Sequence, residues 1–102
     1  MIRPAEPFGA DARLVPVATG VELSVTDRGE GLPLVLLHGV SMSAAYFHPV
    51  IDPLAAAGYR VIVPDLRGHG RSEWAPDGDY TLDAFSGDVV ALARALPGGA
   101  GR

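Results

Sequence analysis

Two short apolar segments separated by the length of one helix constrain this chain more than any other feature. Residues 34–37 are all apolar, and residues 60–64 contain three consecutive β-branched side chains. A strand without polar alternation is typical of a sheet that is covered on both faces, and β-branched residues favour strands. Residues 46–57 lie between them and have room for one helix. This order predicts a β-α-β unit with two parallel strands.

Two prolines leave the start of this helix open, because proline fits the first helical turn and disrupts the interior. The helix begins near Tyr46 with a kink at Pro53, or it begins with Asp52 as N-cap and Pro53 in the first turn. In both cases Gly58 follows its last residue, where glycine is favoured.

Further elements flank this unit on both sides. Residues 14–18 and 21–26 are separated by a Thr-Gly pair, and the second segment alternates apolar and polar side chains, which predicts a β-hairpin. Thr81 is the predicted N-cap of a second helix that reaches about Leu96. Its apolar stripe consists of Leu82, Phe85, Val89, Leu92 and Leu96. The predicted fold class is α/β, with an open, doubly wound sheet.

Composition narrows the possible partners. The 102 residues carry a net charge of -4, no cysteine and 48% hydrophobic residues. An acidic chain of this kind predicts no nucleic-acid partner, and the lack of cysteine excludes a disulfide framework. No apolar run approaches the length of a membrane span, and the N-terminus lacks the apolar core of a signal peptide. We therefore expect a cytoplasmic protein with no membrane partner.

The sheet is expected to be incomplete. A strand that is apolar on both faces, such as 34–37, calls for a neighbour on each edge, yet the chain offers only 60–64 as a parallel partner. We therefore expect this sequence to be the N-terminal part of something larger. The predicted divisions are a polar lead-in over 1–13, a partial domain over 14–96 and a tail over 97–102.

Two motifs follow the predicted parallel strands. The first is His38-Gly39-Val40-Ser41, and the second is the run Pro-Asp-Leu-Arg-Gly-His-Gly-Arg-Ser over 64–72. Together with the intervening helix, they resemble the opening of the α/β-hydrolase fold superfamily, over nearly all of 14–96. The resemblance implies a hydrolase that acts on an ester, a thioester or a related small molecule through a serine acyl-enzyme, without a cofactor or a bound metal.

The same resemblance assigns roles to individual residues. The backbone N–H of Val40 is implied as an oxyanion-hole donor, which stabilises charge on a carbonyl oxygen. Gly39, Ser41 and Met42 are expected to contact the substrate, with Gly39 permitting a sharp turn close to a ligand. The residues expected to hold the loops are His38, Asp65, Arg67, Gly68, Gly70 and Ser72. Within this set, Asp65 should bond backbone N–H groups of its own loop, and Arg67 should pair with a carboxylate such as Asp65 or Glu73.

The nucleophile that the resemblance implies is not present in the sequence. No Gly-x-Ser-x-Gly motif occurs, and the family's acid and base follow the nucleophile along the chain. This chain alone is therefore expected to be inactive. Two alternatives stay open. In the first, the parent protein uses an aspartate nucleophile, as haloalkane dehalogenases and epoxide hydrolases do. Ser41 occupies a position where epoxide hydrolases often have proline, which lowers that option slightly. Otherwise the product is a non-catalytic remnant that binds a partner through its open sheet edge.

Overall fold

The computed structural model describes residues 12–18, 20–39 and 42–96, which form a four-stranded sheet with helices beside it. The elements in chain order are β1 Ala12–Ala18, β2 Val21–Arg28, β3 Leu32–Val35, a 3-10 helix Ala44–Phe47, α1 His48–Ala56, β4 Tyr59–Pro64 and α2 Leu82–Ala95. The predicted α/β order of hairpin, strand, helix, strand and helix is confirmed. The predicted tail lies outside the described residues, as does the lead-in apart from Ala12 and Arg13, which belong to β1.

The strand order in the sheet is β1-β2-β4-β3. β1 and β2 form the predicted antiparallel hairpin, and β3 pairs with β4 in parallel, as the β-α-β unit requires. Among the described residues β3 has β4 as its one neighbour, so the open sheet edge expected for the strand at 34–37 is present. β2 pairs antiparallel with β4, so β4 takes the internal position and β3 forms the edge. The strand itself ends at Val35, although Leu36 still donates a hydrogen bond to the Ile62 carbonyl.

Helices cover both faces of the sheet, which confirms the doubly wound arrangement. Neighbouring side chains of β4 point to opposite faces. Ile62 packs in a core with Leu92 and Leu96 from the region of α2, while Val61 and Val63 pack with Ile51 of α1. In the part of the chain that the structure describes, no helix has the length and apolar character needed to cross a bilayer.

The structure decides between the two starts proposed for the first helix. Helical structure begins before Tyr46, as a 3-10 turn capped by the Ser43 hydroxyl, and continues as α1 with Pro53 in its interior. The alternative with Asp52 as N-cap is wrong. Pro49 occupies the first turn of α1, where a missing N–H has no intrahelical partner to lose.

α2 begins as predicted, because the Thr81 hydroxyl accepts a hydrogen bond from the Ala84 N–H at 3.2 Å. Its apolar stripe is as predicted except at Leu82, since Leu96 is buried and Phe85 and Val89 are half-buried. Leu92 is buried, whereas Leu82 is 82% exposed. At 100° per residue, Leu82 lies about 80° around the helix from Leu92. The buried face of α2 includes Asp88, which is 1% exposed.

Candidate active site

The two motif segments meet at one edge of the sheet. β3 and β4 run parallel, so their carboxyl ends lie on the same side. We call residues 38–43 the His-Gly turn and residues 65–81 the β4 loop. Ligand sites of open α/β sheets lie at this edge. Val40 and Ser41 lie outside the described residues, so their assigned roles as oxyanion donor and substrate contact stay predictions.

His38 fixes the start of the His-Gly turn. Its ring is buried, with 5% of the residue exposed, and Nε2 accepts the Leu66 backbone N–H at 3.0 Å. An amide N–H only donates, so Nε2 must carry the lone pair and the ring proton is assigned to Nδ1. Nδ1 lies 2.7 Å from the Gly39 carbonyl oxygen and donates to it. Both ring nitrogens of His38 therefore bond backbone groups.

Gly39 and Met42 close the turn. The Met42 N–H donates to the Gly39 carbonyl at 3.1 Å. Gly39 is not among the glycines with positive φ, and a Cβ there would lie at an ordinary 3.5 Å from Met42 Sδ. Its φ does not demand glycine, and the close approach of Gly39 to a ligand stays a prediction. The substrate contacts assigned to Gly39 and Met42 stay predictions.

Asp65 and Ser72 hold the β4 loop and connect it to other elements. The buried Asp65 carboxylate accepts the Ala44 N–H at 2.7 Å and the Arg71 N–H at 3.3 Å. The Ser72 hydroxyl donates to the Asp65 backbone carbonyl and accepts the Ser24 N–H at 2.8 Å. The bond from Ala44 joins the loop to the residue after the His-Gly turn, and the bond from Ser24 joins the loop to β2.

Arg67 pairs with a carboxylate, as expected, but that carboxylate is Asp88 and not Asp65 or Glu73. Its guanidinium donates two parallel hydrogen bonds to the Asp88 carboxylate of α2, each 2.7 Å long, and a third to the Asp79 carbonyl. The bonds to Asp88 raise the pKa of Arg67 above its ordinary value, against the lowering caused by burial. A planar guanidinium matches a carboxylate in this two-bond geometry, so the pair fixes the loop on α2.

The two loop glycines are each required by backbone and space. Gly68 and Gly70 have φ of +75° and +52°, which L-residues rarely adopt. A Cβ at Gly68 would lie 2.6 Å from the Tyr80 ring, and a Cβ at Gly70 would lie 2.2 Å from Asp65 Oδ1. Glycine at both positions therefore lets the loop close over its own side chains.

Aromatic rings cover this edge between the two segments. The His69 ring lies 5.1 Å from His38 and 6.1 Å from Phe85, measured between centroids, and Phe85 lies 6.3 Å from Tyr80. His69 Nδ1 is 2.9 Å from the Arg67 carbonyl. Within the described ranges, no three side chains of the His, Cys, Asp and Glu types come together as a metal site would need.

Sequence reasoning missed Asp88 and the amide of Ala44. Asp88 had a usable signal, since it lies one helical turn before Leu92 on the buried face, where a charge requires a partner. Ala44 had none, because a backbone N–H carries no mark in the sequence. Its partner depends on how the His-Gly turn and the β4 loop meet in space.

A second surface lies at Leu36, the residue that follows β3. It is a groove of 510 Å³ between the chain after β3, the 3-10 helix and α1. Its lining is apolar and consists of Leu36, Tyr46, Phe47, Pro49, Val50, Pro53 and Leu54. β3 is the last strand in the sheet order of the described residues, and its Leu32 side chain is 67% exposed.

Comparison with known proteins gives one family. A family model described as alpha/beta hydrolase fold matches residues 33–100. An epoxide hydrolase from Caballeronia sordidicola is 37% identical over 78 residues, which are 76% of this chain and 24% of the relative. A pimeloyl-acyl-carrier protein methyl ester esterase from Aeromonas hydrophila is 39% identical over 72 residues, which are 71% of this chain and 28% of the relative.

The likeness extends to solved structures. The crystal structure of an epoxide hydrolase from Vigna radiata superposes with a TM-score of 0.75 at 35% identity, over 83% of this chain and 28% of that one. The chain thus spans about a quarter of the length of the proteins that it matches.

Proposed function

This chain belongs to the α/β-hydrolase fold family, and on that premise we propose that it forms the N-terminal part of a hydrolase for a small ester, thioester or related substrate. In this reaction a serine supplied by another part of the protein attacks the substrate carbonyl and passes its proton to the general base, which then acts as the general acid. The leaving alcohol or thiol takes a proton from the general acid, and water then releases the acyl group from the serine. This chain contributes the oxyanion side of the site, through the backbone N–H of Val40.

The observation that carries this proposal is the anchored His-Gly turn at the carboxyl end of β3. An oxyanion donor stabilises the transition state only when it is held in place before the reaction begins. Hydrogen bonds to Leu66 and Asp65 anchor the turn on both sides. Loss of one such donor typically lowers kcat by about 100- to 1000-fold. The similarity to a methyl ester esterase supports the choice of an acyl substrate.

We further propose that the nucleophile, acid and base lie outside residues 1–102, so that this chain alone has no turnover. The sequence contains no Gly-x-Ser-x-Gly motif. The apolar groove and the outer edge of β3 support this proposal, because exposed apolar surface and an unpaired strand edge are typically covered in a complete domain.

Epoxide hydrolysis is the second candidate, and two of the comparisons favour it. A curated relative and a solved structure, each more than a third identical to this chain, are epoxide hydrolases. In that case an aspartate replaces serine as the nucleophile and opens the epoxide ring. The serine at position 41, where epoxide hydrolases often carry proline, weighs against this candidate.

The reading frame beyond codon 102 separates these candidates. Gly-x-Ser-x-Gly after a further strand supports the serine hydrolase, and an aspartate at the serine position supports the epoxide hydrolase. The complete protein is then assayed with p-nitrophenyl butyrate and with styrene oxide. Labelling by a fluorophosphonate identifies an activated serine, and the Ser→Ala variant at that position is the control.

The expected result is turnover of the ester and labelling that the control abolishes. Turnover of styrene oxide alone, without labelling, would replace the first candidate with the second. A frame that stops near Arg102 with no such continuation would overturn the enzymatic proposal for this product and leave the non-catalytic alternative.

A further inference from the structure

The Asp65 side chain joins two segments that the sequence keeps 21 residues apart. It lies at the carboxyl end of β4 and is buried. Oδ1 accepts the Ala44 N–H at 2.7 Å, a length typical of a bond to a charged acceptor, and Oδ2 accepts the Arg71 N–H at 3.3 Å. The carboxylate therefore belongs to both the β4 loop and the end of the His-Gly turn.

The His-Gly turn is held at its two ends by adjacent residues of the β4 loop. At its start, His38 Nε2 accepts the N–H of Leu66. Immediately after its end, Ala44 donates to Asp65. Between these anchors the Met42 N–H closes on the Gly39 carbonyl. Two adjacent residues of the β4 loop thus hold described residues on both sides of Val40 and Ser41.

The Asp65 carboxylate lies in space that is open only because residue 70 is glycine. Gly70 faces the carboxylate so closely that a Cβ there would lie 2.2 Å from Oδ1 and 2.7 Å from Oδ2. The Ala44 N–H is also the first donor of the 3-10 helix, which has no partner inside that helix. The Asp65 carboxylate supplies that partner. A neutral side chain of the same shape would fill the space and lose the charge.

From this arrangement we infer that Asp65 is a positioning residue of the reaction, which aligns the His-Gly turn for oxyanion binding through Ala44. The inference rests on the proposed function of the turn. Asp65 itself does not touch the substrate. Its contribution is to fix the end of the turn, and small misplacements of a binding group reduce the rate of the chemical step.

The test uses the complete protein and the variant Asp65→Asn. Asparagine keeps the volume but replaces one acceptor by an NH₂ group that faces the N–H of Arg71, and it removes the negative charge from Ala44. With p-nitrophenyl butyrate, or with styrene oxide if that is the substrate turned over, we expect kcat to fall about 10- to 100-fold. KM is expected to change by less than about twofold, because binding of the ground state does not depend on the oxyanion contacts.

Gly70→Ala is the second variant, since its Cβ displaces the carboxylate without changing it, and the same loss of kcat is expected. Glu73→Ala is the matched control. It weakens the same loop at its contact with the Glu22 N–H, yet it leaves the described contacts of Asp65 in place. We expect it to lower the Tm as Asp65→Asn does while kcat stays within about twofold of the wild type.

A purely structural role would give a different result. If Asp65→Asn and Glu73→Ala both lower the Tm and kcat per folded molecule is unchanged in both, the positioning role is overturned. The amide proton of Ala44 supplies an independent readout by NMR, because its bond to a carboxylate predicts a downfield resonance that Asp65→Asn shifts upfield. An inactive wild type with this shift intact would refute the proposed function, and with it the positioning role, but not the contact between Asp65 and Ala44.

Discussion

At the carboxyl edge of the sheet, this chain provides partners for its own buried polar groups. At the outer flank of β3, by which we mean Leu32 and the groove at Leu36, it leaves apolar side chains exposed. At the carboxyl edge, buried polar side chains bond one another and the backbone, and Asp65, Arg67 and Ser72 all have partners within the described residues. Along the flank of β3, the groove is lined by apolar side chains, and Leu32 is largely exposed.

The two regions differ in what each kind of contact requires. A buried polar group requires only one or two well-placed partners, and loops of the same chain provide them. An apolar surface requires contact area, and a short chain provides less of it than a long one. This contrast predicts that the polar edge is an intrinsic property of residues 12–96, whereas the flank of β3 depends on further chain.

The largest effect is expected at the ion pair that holds the β4 loop to α2. Arg67→Met keeps much of the side-chain volume and leaves the Asp88 carboxylate buried without its cation. We expect the free energy of unfolding to fall by about 3–5 kcal/mol. Urea denaturation measures this loss. Asp52→Asn is the control, because Asp52 pairs with Arg28 at an exposed site and its loss should cost about 0–1 kcal/mol.

The double variant Arg67→Met with Asp88→Leu sharpens this test. It removes the uncompensated charge, so it should recover most of the stability that the single variant loses. If the single variant were no less stable than the control, the carboxyl edge would not depend on its buried pair.

The next effect concerns the groove at Leu36. Val50 is 42% exposed there, and its neighbour Ile51 is 1% exposed. In the chain of 102 residues, Val50→Ser should change the free energy of unfolding by less than about 0.5 kcal/mol. In the complete protein, the same substitution should cost about 1–3 kcal/mol if further chain covers the groove.

Ile51→Ala is the reference for this comparison and should cost about 2–5 kcal/mol in either form of the protein. Urea denaturation of both forms gives the four values. An equal and small cost of Val50→Ser in the two forms would show that the groove stays open in the complete protein.

The smallest effect is expected at Asp79, at the exposed end of the β4 loop. The Thr81 N–H and then the Thr81 hydroxyl bond its carboxylate and lower the pKa of Asp79 below its ordinary value. A lowered folded-state pKa gives stability that is present above the unfolded pKa and is lost as the pH falls through the folded one. Thr81→Ala should therefore raise the pKa of Asp79, as an NMR titration of its carboxyl carbon measures. An unchanged value would assign the lowered pKa to the backbone N–H of Thr81 and the charge of Arg67.

Local chemistry made much of this fold predictable. The Thr-Gly pair between two strand patterns predicted the hairpin, and Thr81 predicted the start of α2, because turns and caps depend on a few neighbouring residues. The start of α1 stayed open between two prolines, and only packing of the whole segment decided it. Leu82 was assigned to the buried face since its spacing fits, yet spacing does not show which part of a stripe meets the sheet.

By itself, the sequence determined the α/β order of elements and the two motif loops that end its parallel strands. Tertiary structure alone decided that β2 pairs with β4, that Arg67 bonds Asp88 on α2, and that Asp65 accepts a hydrogen bond from the amide of Ala44. The physical reason is distance along the chain. Turns and caps are formed by residues a few positions apart, whereas these three contacts join segments that are close only when the sheet and its helices have assembled.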